Sequence, residues 1–302
     1  MVILDLKCGL GNQLFEYAYA RSLMKQCGDD KIGIDRLSFI NEPDGRSSAL
    51  EKFALPADTS ELVGVKQIWY HYYFRVKGSI VNVIFGKNQS KGQRAVTLAK
   101  YGIYESNFVY YDFSVSGNRT KYVRGVFQNI RYFESIANEL KTIYRVRATP
   151  SEQNQKLLEE MASVNAVCMH IRRGDYITNA KWSKQLLICD ESYYVKAMQK
   201  IQEKVDNPVY YVFSNNNSDI NWIRNNYNLP YPVRYIDFNN PDYEDFRLMN
   251  SCKHFIMSNS SFSWWAQFLS DNHHKVVIAP SRWSSIENCS GLYMDIWDII
   301  DV

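Results

Sequence analysis

The chain has 302 residues, of which 46% are hydrophobic and 22% charged, with only 14 glycines and 8 prolines. This composition excludes a disordered or collagen-like protein, and the length suffices for one large domain or two ordinary ones. The formal net charge of +3 is too small to require a nucleic acid as partner.

The six cysteines are scattered and show no Cys-x-x-Cys spacing, so we expect them to be reduced and structural. The first residues reach the charged Asp5 and Lys7 before an apolar stretch long enough for a signal peptide or a membrane span has formed. Disulfide-free chains without such a segment are typical of the reducing cytoplasm. We therefore expect a cytoplasmic protein.

The first predicted strand, Val2–Leu6, leads through a glycine turn into a helix that begins near Gly11 or Asn12. Such a helix start presents free amides and the positive end of the helix dipole to an anion or a polar ligand group. A plain strand-to-helix connection with Asn12 as a cap is the other interpretation. Lys31–Asp35 is predicted as a second strand, and Gly125–Asn129 as a segment that lines a cleft at a strand end.

From Leu62 to Tyr104 the sequence holds no Asp or Glu, while basic residues alternate with aromatic ones. This composition suits an anionic membrane surface or an acceptor that carries phosphate and sugar, and it equally suits two solvated helices with a tyrosine-rich inner face. The first interpretation predicts peripheral association with the inner face of the cytoplasmic membrane. The basic residues are Lys66, Arg75, Lys77, Lys87, Lys91, Arg94 and Lys100.

Thr149-Pro150-Ser151 is typical of a helix stop followed by a restart, so we place a domain boundary within residues 146–155 and predict domains 1–150 and 151–302. In the second domain, short apolar strands alternate with helices, which predicts a parallel sheet with right-handed crossovers. The predicted strands are Val164–Ile171, Val209–Phe213, Val233–Phe238, Phe255–Met257 and Lys275–Ala279.

Polar clusters follow three of these strands: His170–Asp175, Ser214–Asn217 and Asn259–Ser263. The carboxyl ends of parallel strands share one edge of a sheet, and ligands bind there. Ordinary N-capping explains each cluster by itself, whereas their convergence favours a ligand of the nucleotide type.

Arg172 and Arg173 stand at the end of a buried strand, with Gly174 and Asp175 directly after them. Guanidinium groups are costly to bury without an anion, so a phosphate is the expected ligand, and a structural ion pair with Asp175 is the alternative. The chain holds no Asp-x-Asp pair, and its five histidines show no ligand spacing. We therefore expect no metal.

Four separated stretches resemble the inverting α-1,2-fucosyltransferases of glycosyltransferase family 11, in their bacterial soluble form. The resemblance implies a GT-B-like α/β fold, in which two Rossmann-like domains with parallel sheets face across a cleft. The N-terminal domain would be on the acceptor side, and the C-terminal domain would bind GDP-fucose. The stretches are Gly9–Phe15, His170–Tyr176, Phe213–Asn215 and Asn259–Trp265.

The activity that the resemblance implies is transfer of L-fucose from GDP-fucose to the 2-hydroxyl of a terminal β-galactoside, in O-antigen or oligosaccharide synthesis. GDP-fucose is then a donor substrate, no cofactor is required, and the acceptor is a galactose-terminated glycan, free or lipid-linked. Two alternatives stay open. One is a transferase that uses another nucleotide sugar, and the other is a non-catalytic carbohydrate-binding protein, suggested by 22 tyrosines and 7 tryptophans.

Carried over residue by residue, the resemblance implies that Arg172 binds the donor diphosphate and neutralises the departing GDP, while Arg173 supports it or the surrounding loop. His170 would lie near the phosphate or the fucose, and Asn12, preceded by Gly11, would reach the donor from the first helix. The further donor contacts that the resemblance implies are Ser214, Asn259, Ser260, Ser261 and Phe262.

Inversion requires removal of a proton from the acceptor hydroxyl. Asp175, His170 and Glu16 are the candidates; we favour Asp175, with the alternative that it merely orients an arginine. The sequence departs from the family at two places. Glu16 stands where the family more often has Gln, and Ser214-Asn215-Asn216 stands where Ser-Asp-Asp is common, which puts the nucleoside contacts there in doubt.

Overall fold

The computed structural model describes residues 1–41, 48–113, 119–287 and 289–302. It divides the chain into unit 1, Met1–Arg145 with Ser290–Leu292, and unit 2, Val146–Cys289 with Tyr293–Val302. The predicted domains placed the boundary after residue 150, and nothing in the sequence indicated that Ser290–Leu292 belongs to unit 1.

Unit 1 contains a parallel sheet of five strands. Val2–Leu4 in its central strand are fully buried, as is typical of a strand covered on both faces. In register, Ile3 pairs with Gly33 on one side and with Tyr122 on the other. The strands are β1 (Val2–Asp5), β2 (Ile32–Asp35), β3 (Thr59–Glu61), β4 (Ile103–Glu105) and β5 (Lys121–Arg124), in the order β3-β2-β1-β5-β4.

The helices of unit 1 differ in how they are packed. The first is buried on nearly all sides, whereas the second buries only His71, Phe74, Gly78 and Val81. The predicted helix pair is present, but the predicted tyrosine-rich inner face is wrong, because Tyr72 is 61% exposed and Tyr73 43%. The helices are α1 (Leu10–Gln26), α2 (Gly64–Phe85), α3 (Lys91–Lys100) and α4 (Ala137–Ile143), with 3-10 turns at Leu37–Asn41, Leu50–Lys52, Ile130–Tyr132, Glu134–Ile136 and Ser290–Leu292.

Unit 2 contains a parallel sheet of six strands. Numbered by their own chain order, they lie 3-2-1-4-5-6 across the sheet, which is the doubly wound dinucleotide-fold order. The strands are β6 (Asn165–His170), β7 (Pro208–Phe213), β8 (Val233–Tyr235), β9 (His254–Ile256), β10 (Val277–Pro280) and β11 (Asp298–Ile300).

The helices of unit 2 start at side-chain caps where the sequence offers them. Ser151 Oγ accepts a hydrogen bond from the amide of Asn154, and an Asp190 carboxylate oxygen accepts one from the amide of Tyr193. The helices are α5 (Glu152–Ser163), α6 (Asp175–Thr178), α7 (Ala180–Leu186), α8 (Glu191–Lys204), α9 (Asn217–Asn226), α10 (Asp242–Asn250) and α11 (Ser261–Leu269).

The predicted class, two α/β domains with parallel sheets, is confirmed by these two sheets. All six cysteines fall within the described ranges and are free thiols. None of the helices in those ranges combines the length and the apolarity that crossing a bilayer requires.

Candidate active site

The three predicted polar clusters end neighbouring strands, because β9, β6 and β7 are adjacent in the sheet of unit 2. His170 ends β6, Ser214 follows β7 and Asn259 lies just beyond β9. The chain runs from β6 to β7 on one side, while β9 lies on the other side, so the strand order reverses between β6 and β9. Ligands of doubly wound sheets bind in the crevice at such a reversal. The predicted convergence is confirmed.

Arg172 and Asp175 form an ion pair in the loop after β6, with Nη2 and Oδ1 2.6 Å apart. Each side chain keeps about a fifth of its surface exposed (22% and 23%), and the Arg172 guanidinium lies 5.3 Å from the centre of the Tyr176 ring. Among the described residues, Asp175 is the hydrogen-bond acceptor of this guanidinium. The other N–H groups of Arg172 can therefore bind an anion without breaking the pair.

Arg173 has a different role in the structure. Its guanidinium lies 3.3 Å from the centre of the Trp222 ring in α9, and its Nε lies 3.5 Å from Asp219 Oδ1. Its backbone amide donates a hydrogen bond to Asn215 Oδ1. Arg173 was predicted to support either Arg172 or the surrounding loop. These contacts fit support of the loop.

Gly174 occupies a position that strongly favours glycine. Its φ of +38° lies in the left-handed region, and a Cβ there would lie 2.5 Å from Asn215 Nδ2. Its amide donates to Asp219 Oδ2, and Ser214 Oγ donates to the carbonyl of Ile171. The loops after β6 and β7 are thus joined by hydrogen bonds before any ligand binds, and the Ser214 hydroxyl serves that junction.

His170 is 2% exposed, and its Nδ1 lies 3.0 Å from Ser258 Oγ. Burial, with the nearby charge of Arg172, lowers the pKa of His170 to about 3, so the imidazole is neutral at physiological pH. Sequence reasoning missed Ser258, although it directly precedes the predicted cluster. A neutral imidazole here can orient a ligand or a neighbour by a hydrogen bond, but it carries no charge to offer a phosphate.

The Asn259 side chain holds neighbouring loops together. Its Nδ2 donates to the carbonyls of Leu186 and Trp283, and the backbone carbonyl of Asn259 accepts from Tyr176 Oη. These bonds fix the turn between β9 and α11. The Asn259 side chain is therefore arranged to hold this turn and not to contact a ligand directly.

Ser260 is the N-cap of α11, and its Oγ accepts a hydrogen bond from the amide of Phe262. Ser261 is the first residue of this helix, and the Phe262 ring neighbours the rings of His170 and Phe246, with centroid separations of 5.9 and 5.5 Å. The positive end of the α11 dipole thus lies at the carboxyl edge of the sheet, where it favours an anion.

In unit 1, Asn12 and Gln128 meet beyond the carboxyl ends of β1 and β5. Gln128 Nε2 donates a hydrogen bond to Asn12 Oδ1 at 2.6 Å. The expectation that Asn12 caps the helix is wrong, since α1 starts after Gly9 without a side-chain cap. Gln128 is 95% buried (5% exposed), and its Oε1 has no hydrogen-bond partner among the described residues. Phe127, beside it, has a φ of +45°, and strained residues of this kind cluster at binding sites.

Gly11 and Glu16, the other residues predicted here, are both buried in α1. Gly11 belongs to the first turn and contributes backbone only. Glu16 is fully buried, and its Oε2 accepts the amide of Lys7, so it fixes the loop between β1 and α1.

Asp5, Asp35 and His71 form a buried cluster in unit 1 whose ligand-type atoms lie within 4.8 Å of one another. Side chains of the protein itself already contact the carboxylates of Asp5 and Asp35. Asp35 Oδ2 lies 2.7 Å from His71 Nδ1, and Asp5 Oδ1 accepts from Ser38 Oγ at 2.5 Å. Arg75 Nη2 lies 3.5 Å from Asp5 Oδ2. These contacts form a hydrogen-bond and ion-pair network, with the half-exposed Arg75 at its margin, that ties α2 to the ends of β1 and β2.

Comparison with known proteins decides the family. The family described as Glycosyl transferase family 11 matches residues 1–299. The chain belongs to glycosyl transferase family 11. This family 11 glycosyltransferase is 30% identical to an alpha-1,2-colitosyltransferase of Escherichia coli, over 94% of this chain and 92% of that protein. It is also 30% identical to the O-antigen biosynthesis glycosyltransferase WbnK of Escherichia coli, over 97% and 98%.

The fold of this family 11 glycosyltransferase is shared with solved fucosyltransferases. The NodZ fucosyltransferase from Bradyrhizobium superposes with a TM-score of 0.52 at 15% identity, over 89% of this chain and 92% of that one. NodZ alpha-1,6-fucosyltransferase co-crystallised with GDP gives 0.52 at 16% identity, over 89% and 91%. The predicted family and fold class are confirmed, and the protein is an enzyme of the glycosyltransferase class.

Proposed function

We propose that this protein is an inverting α-1,2-fucosyltransferase that moves L-fucose from GDP-fucose to the 2-hydroxyl of a terminal β-galactoside. Its family, the α-1,2 linkage named for one relative and the O-antigen role named for the other support this proposal. The observation that carries it is the Arg172–Asp175 pair at the strand reversal of unit 2, a fixed cation where a diphosphate ligand belongs.

The proposed transfer is a direct displacement. The acceptor oxygen attacks the anomeric carbon on the face opposite GDP, the bond from that carbon to the phosphate oxygen breaks, and the bonding electrons leave with GDP. Negative charge then develops on the diphosphate, and the Arg172 guanidinium stabilises it without a metal. Arg172 is the residue proposed to touch the reacting phosphate.

Asp175 is proposed as the positioning residue that orients Arg172. The sequence favoured it as the base, but its Oδ1 is hydrogen-bonded to the guanidinium that the diphosphate needs. A transition state rich in oxocarbenium character requires only weak help in removing the acceptor proton. The base is therefore left unassigned, and His170 is proposed to orient the donor as a neutral imidazole.

The remaining donor contacts are proposed at α11 and α1. The α11 N-terminus, with Ser260 and Ser261, suits phosphate oxygens, and the Phe262 ring suits the nucleoside. Asn12, held by Gln128, is proposed to contact the donor through its amide. Arg173, Ser214 and Asn259 are proposed to act through the loops that they fix, and Gly11 through its backbone.

A second candidate differs only in the donor sugar. A relative named as an alpha-1,2-colitosyltransferase is 30% identical over 94% of this chain, so colitose is a specific alternative to fucose. The two sugars differ by one hydroxyl at C3, and a site that hydrogen-bonds this hydroxyl would discriminate strongly between them. The non-catalytic carbohydrate-binding alternative does not fit a chain matched by a glycosyltransferase family over residues 1–299.

The test is incubation of the enzyme, with EDTA present, with GDP-fucose or GDP-colitose and a panel of galactose-terminated acceptors, with the linkage identified by NMR. We expect an α-1,2-fucosylated product. A product formed only from GDP-colitose would establish the second candidate, and transfer to a different position or only with added Mg²⁺ would contradict the proposal.

A further inference from the structure

The outer side of α2 is an apolar stripe that no described residue of unit 1 covers. Its members recur at intervals of three or four residues, which places them on one face of a helix. Val65 is 83% exposed and Val83 78%, so most of their apolar surface faces outward. We call this surface the α2 stripe; its members are Val65, Ile68, Trp69, Tyr72, Tyr73, Val76, Ile80, Val83 and Ile84.

The opposite side of α2 is anchored, so the stripe cannot turn inward. Phe74 and Val81 pack into a core with Ile3 and Tyr122, which are buried residues of the sheet. His71 Nδ1 meets the buried Asp35 at 2.7 Å. These contacts fix the rotation of the helix about its axis.

Positive charge borders the α2 stripe. At 100° per residue, Lys66 and Lys77 lie on one margin and Arg75 lies on the other. No acidic residue occurs from Leu62 to Tyr104, a segment that also carries the exposed Lys87, Lys91, Arg94 and Lys100. The segment therefore combines an outward apolar band with several cations and no acidic residue of its own, although Arg75 is partly paired with Asp5.

We propose that α2 lies flat on a bilayer that contains anionic phospholipid and docks the enzyme there. An interfacial helix has an apolar face for the acyl boundary, lysines and arginines for the headgroups, and aromatic residues at the boundary between them. Trp69, Tyr72 and Tyr73 are the aromatic residues of the α2 stripe. Lys77 Nζ lies 5.6 Å from the centre of the Tyr73 ring and 5.5 Å from that of the buried Phe74 ring.

An anionic bilayer fits this surface better than a second copy of the chain does. Pairing two α2 stripes would bring the cations of both copies together, and the segment offers no carboxylate to neutralise them. A bilayer with anionic headgroups supplies that charge and covers the apolar residues as well. The proposal does not depend on the identity of the donor sugar.

The test is co-sedimentation of the full chain with vesicles of phosphatidylcholine alone or with phosphatidylglycerol added. Val76→Glu with Val83→Glu places charges in exposed positions of the stripe, and Lys66→Gln with Lys77→Gln removes cations at its margin. Wild type is expected to bind the phosphatidylglycerol vesicles. The lysine variant should bind about 25-fold more weakly, at about fivefold per lysine, and the valine variant should lose binding.

Matched controls use exposed residues of unit 2. Ile286→Glu with Ile296→Glu repeats the apolar-to-acid change, and Lys156→Gln with Lys196→Gln repeats the loss of two cations. Both controls should bind vesicles as wild type does, and transfer to a soluble acceptor should be unchanged in all four variants. Unchanged transfer separates this proposal from the proposed function.

Several results would overturn the proposal. One is no binding of wild type to either vesicle, and another is equal binding to both compositions. A third is equal binding by wild type and the valine variant. A dimer measured by light scattering that this variant converts to a monomer would assign the α2 stripe to a second copy instead.

Discussion

Arg172 Nη2 lies 2.6 Å from Asp175 Oδ1, three residues apart across the left-handed turn at Gly174. The guanidinium is thus oriented before a ligand arrives, and a preorganised charge costs no reorganisation when the glycosyl–phosphate bond breaks. Arg173, the adjacent residue, is stacked on Trp222 instead. Two arginines that look equivalent in the sequence therefore have separate roles.

Arg172→Ala is expected to lower kcat by about 10² to 10³-fold with little change in Tm, because it removes the charge proposed to stabilise the leaving diphosphate. Arg173→Ala is the matched control and should mainly lower Tm, since it loses the Trp222 ring and Asp219. Steady-state kinetics and thermal melts of both variants test the distinction. Near wild-type kcat in Arg172→Ala would rule out its role with the leaving group.

Gly174→Ala should destabilise unit 2 by about 1–3 kcal/mol, because alanine is strained at this φ and its Cβ would meet Asn215. Asn215 cannot easily move away, since its Oδ1 accepts the Arg173 amide. Gly9→Ala is the control, with a φ of −77° and no atom within 4 Å of the added Cβ. Urea unfolding of both variants measures the difference, and equal stabilities would refute the strain argument.

Asn12→Ala and Gln128→Ala are expected to be strongly non-additive, because each removes the same 2.6 Å hydrogen bond. The double variant should lose no more kcat/KM than the more damaging single change. A double-mutant cycle measures this coupling. Strictly additive losses would mean that the two amides act independently.

Asp245 predicts a pH dependence of stability. Burial, with help from the charges of Asp242 and Glu244, raises the pKa of Asp245 to about 7 from its ordinary 3.8. The folded protein therefore binds this proton more tightly than the unfolded chain does, and the Asp245 contribution to stability declines as pH rises from about 4 to 7. Asp245→Asn should remove that decline from a plot of Tm against pH.

Asp242→Asn is the control for Asp245, because Asp242 is an exposed carboxyl on the same helix. It should leave most of the decline in place. The Asp245 assignment fails if both variants keep the wild-type slope between pH 4 and 7.

The sequence was informative where the physical signal is local. Apolar runs such as Val209–Phe213 located the strands, and parallel topology then required the clusters after β6, β7 and β9 to share an edge. Asn12 and Gln128 are 116 positions apart, so no local pattern joins them. The prediction of a tyrosine-rich inner face was wrong, because hydrophobic periodicity identifies an apolar stripe on α2 but does not show which side of the helix packs against the protein core.

Short edge strands were also missed. β11 spans three residues, begins with Asp298 and lies at the edge of its sheet, so it lacks the apolar run that marks a buried strand. The roles of Arg172 and Arg173 could not be separated either, since the ring of Trp222 is brought beside Arg173 only by the packing of α9.

The most direct test of the central claim is a crystal structure of the enzyme with GDP, grown in the presence of EDTA. We predict that diphosphate oxygens lie within hydrogen-bond distance of the Arg172 guanidinium, with the Asp175 pair intact and no metal ion bound. A diphosphate placed away from Arg172, or one that binds only when Mg²⁺ is supplied, would contradict the account.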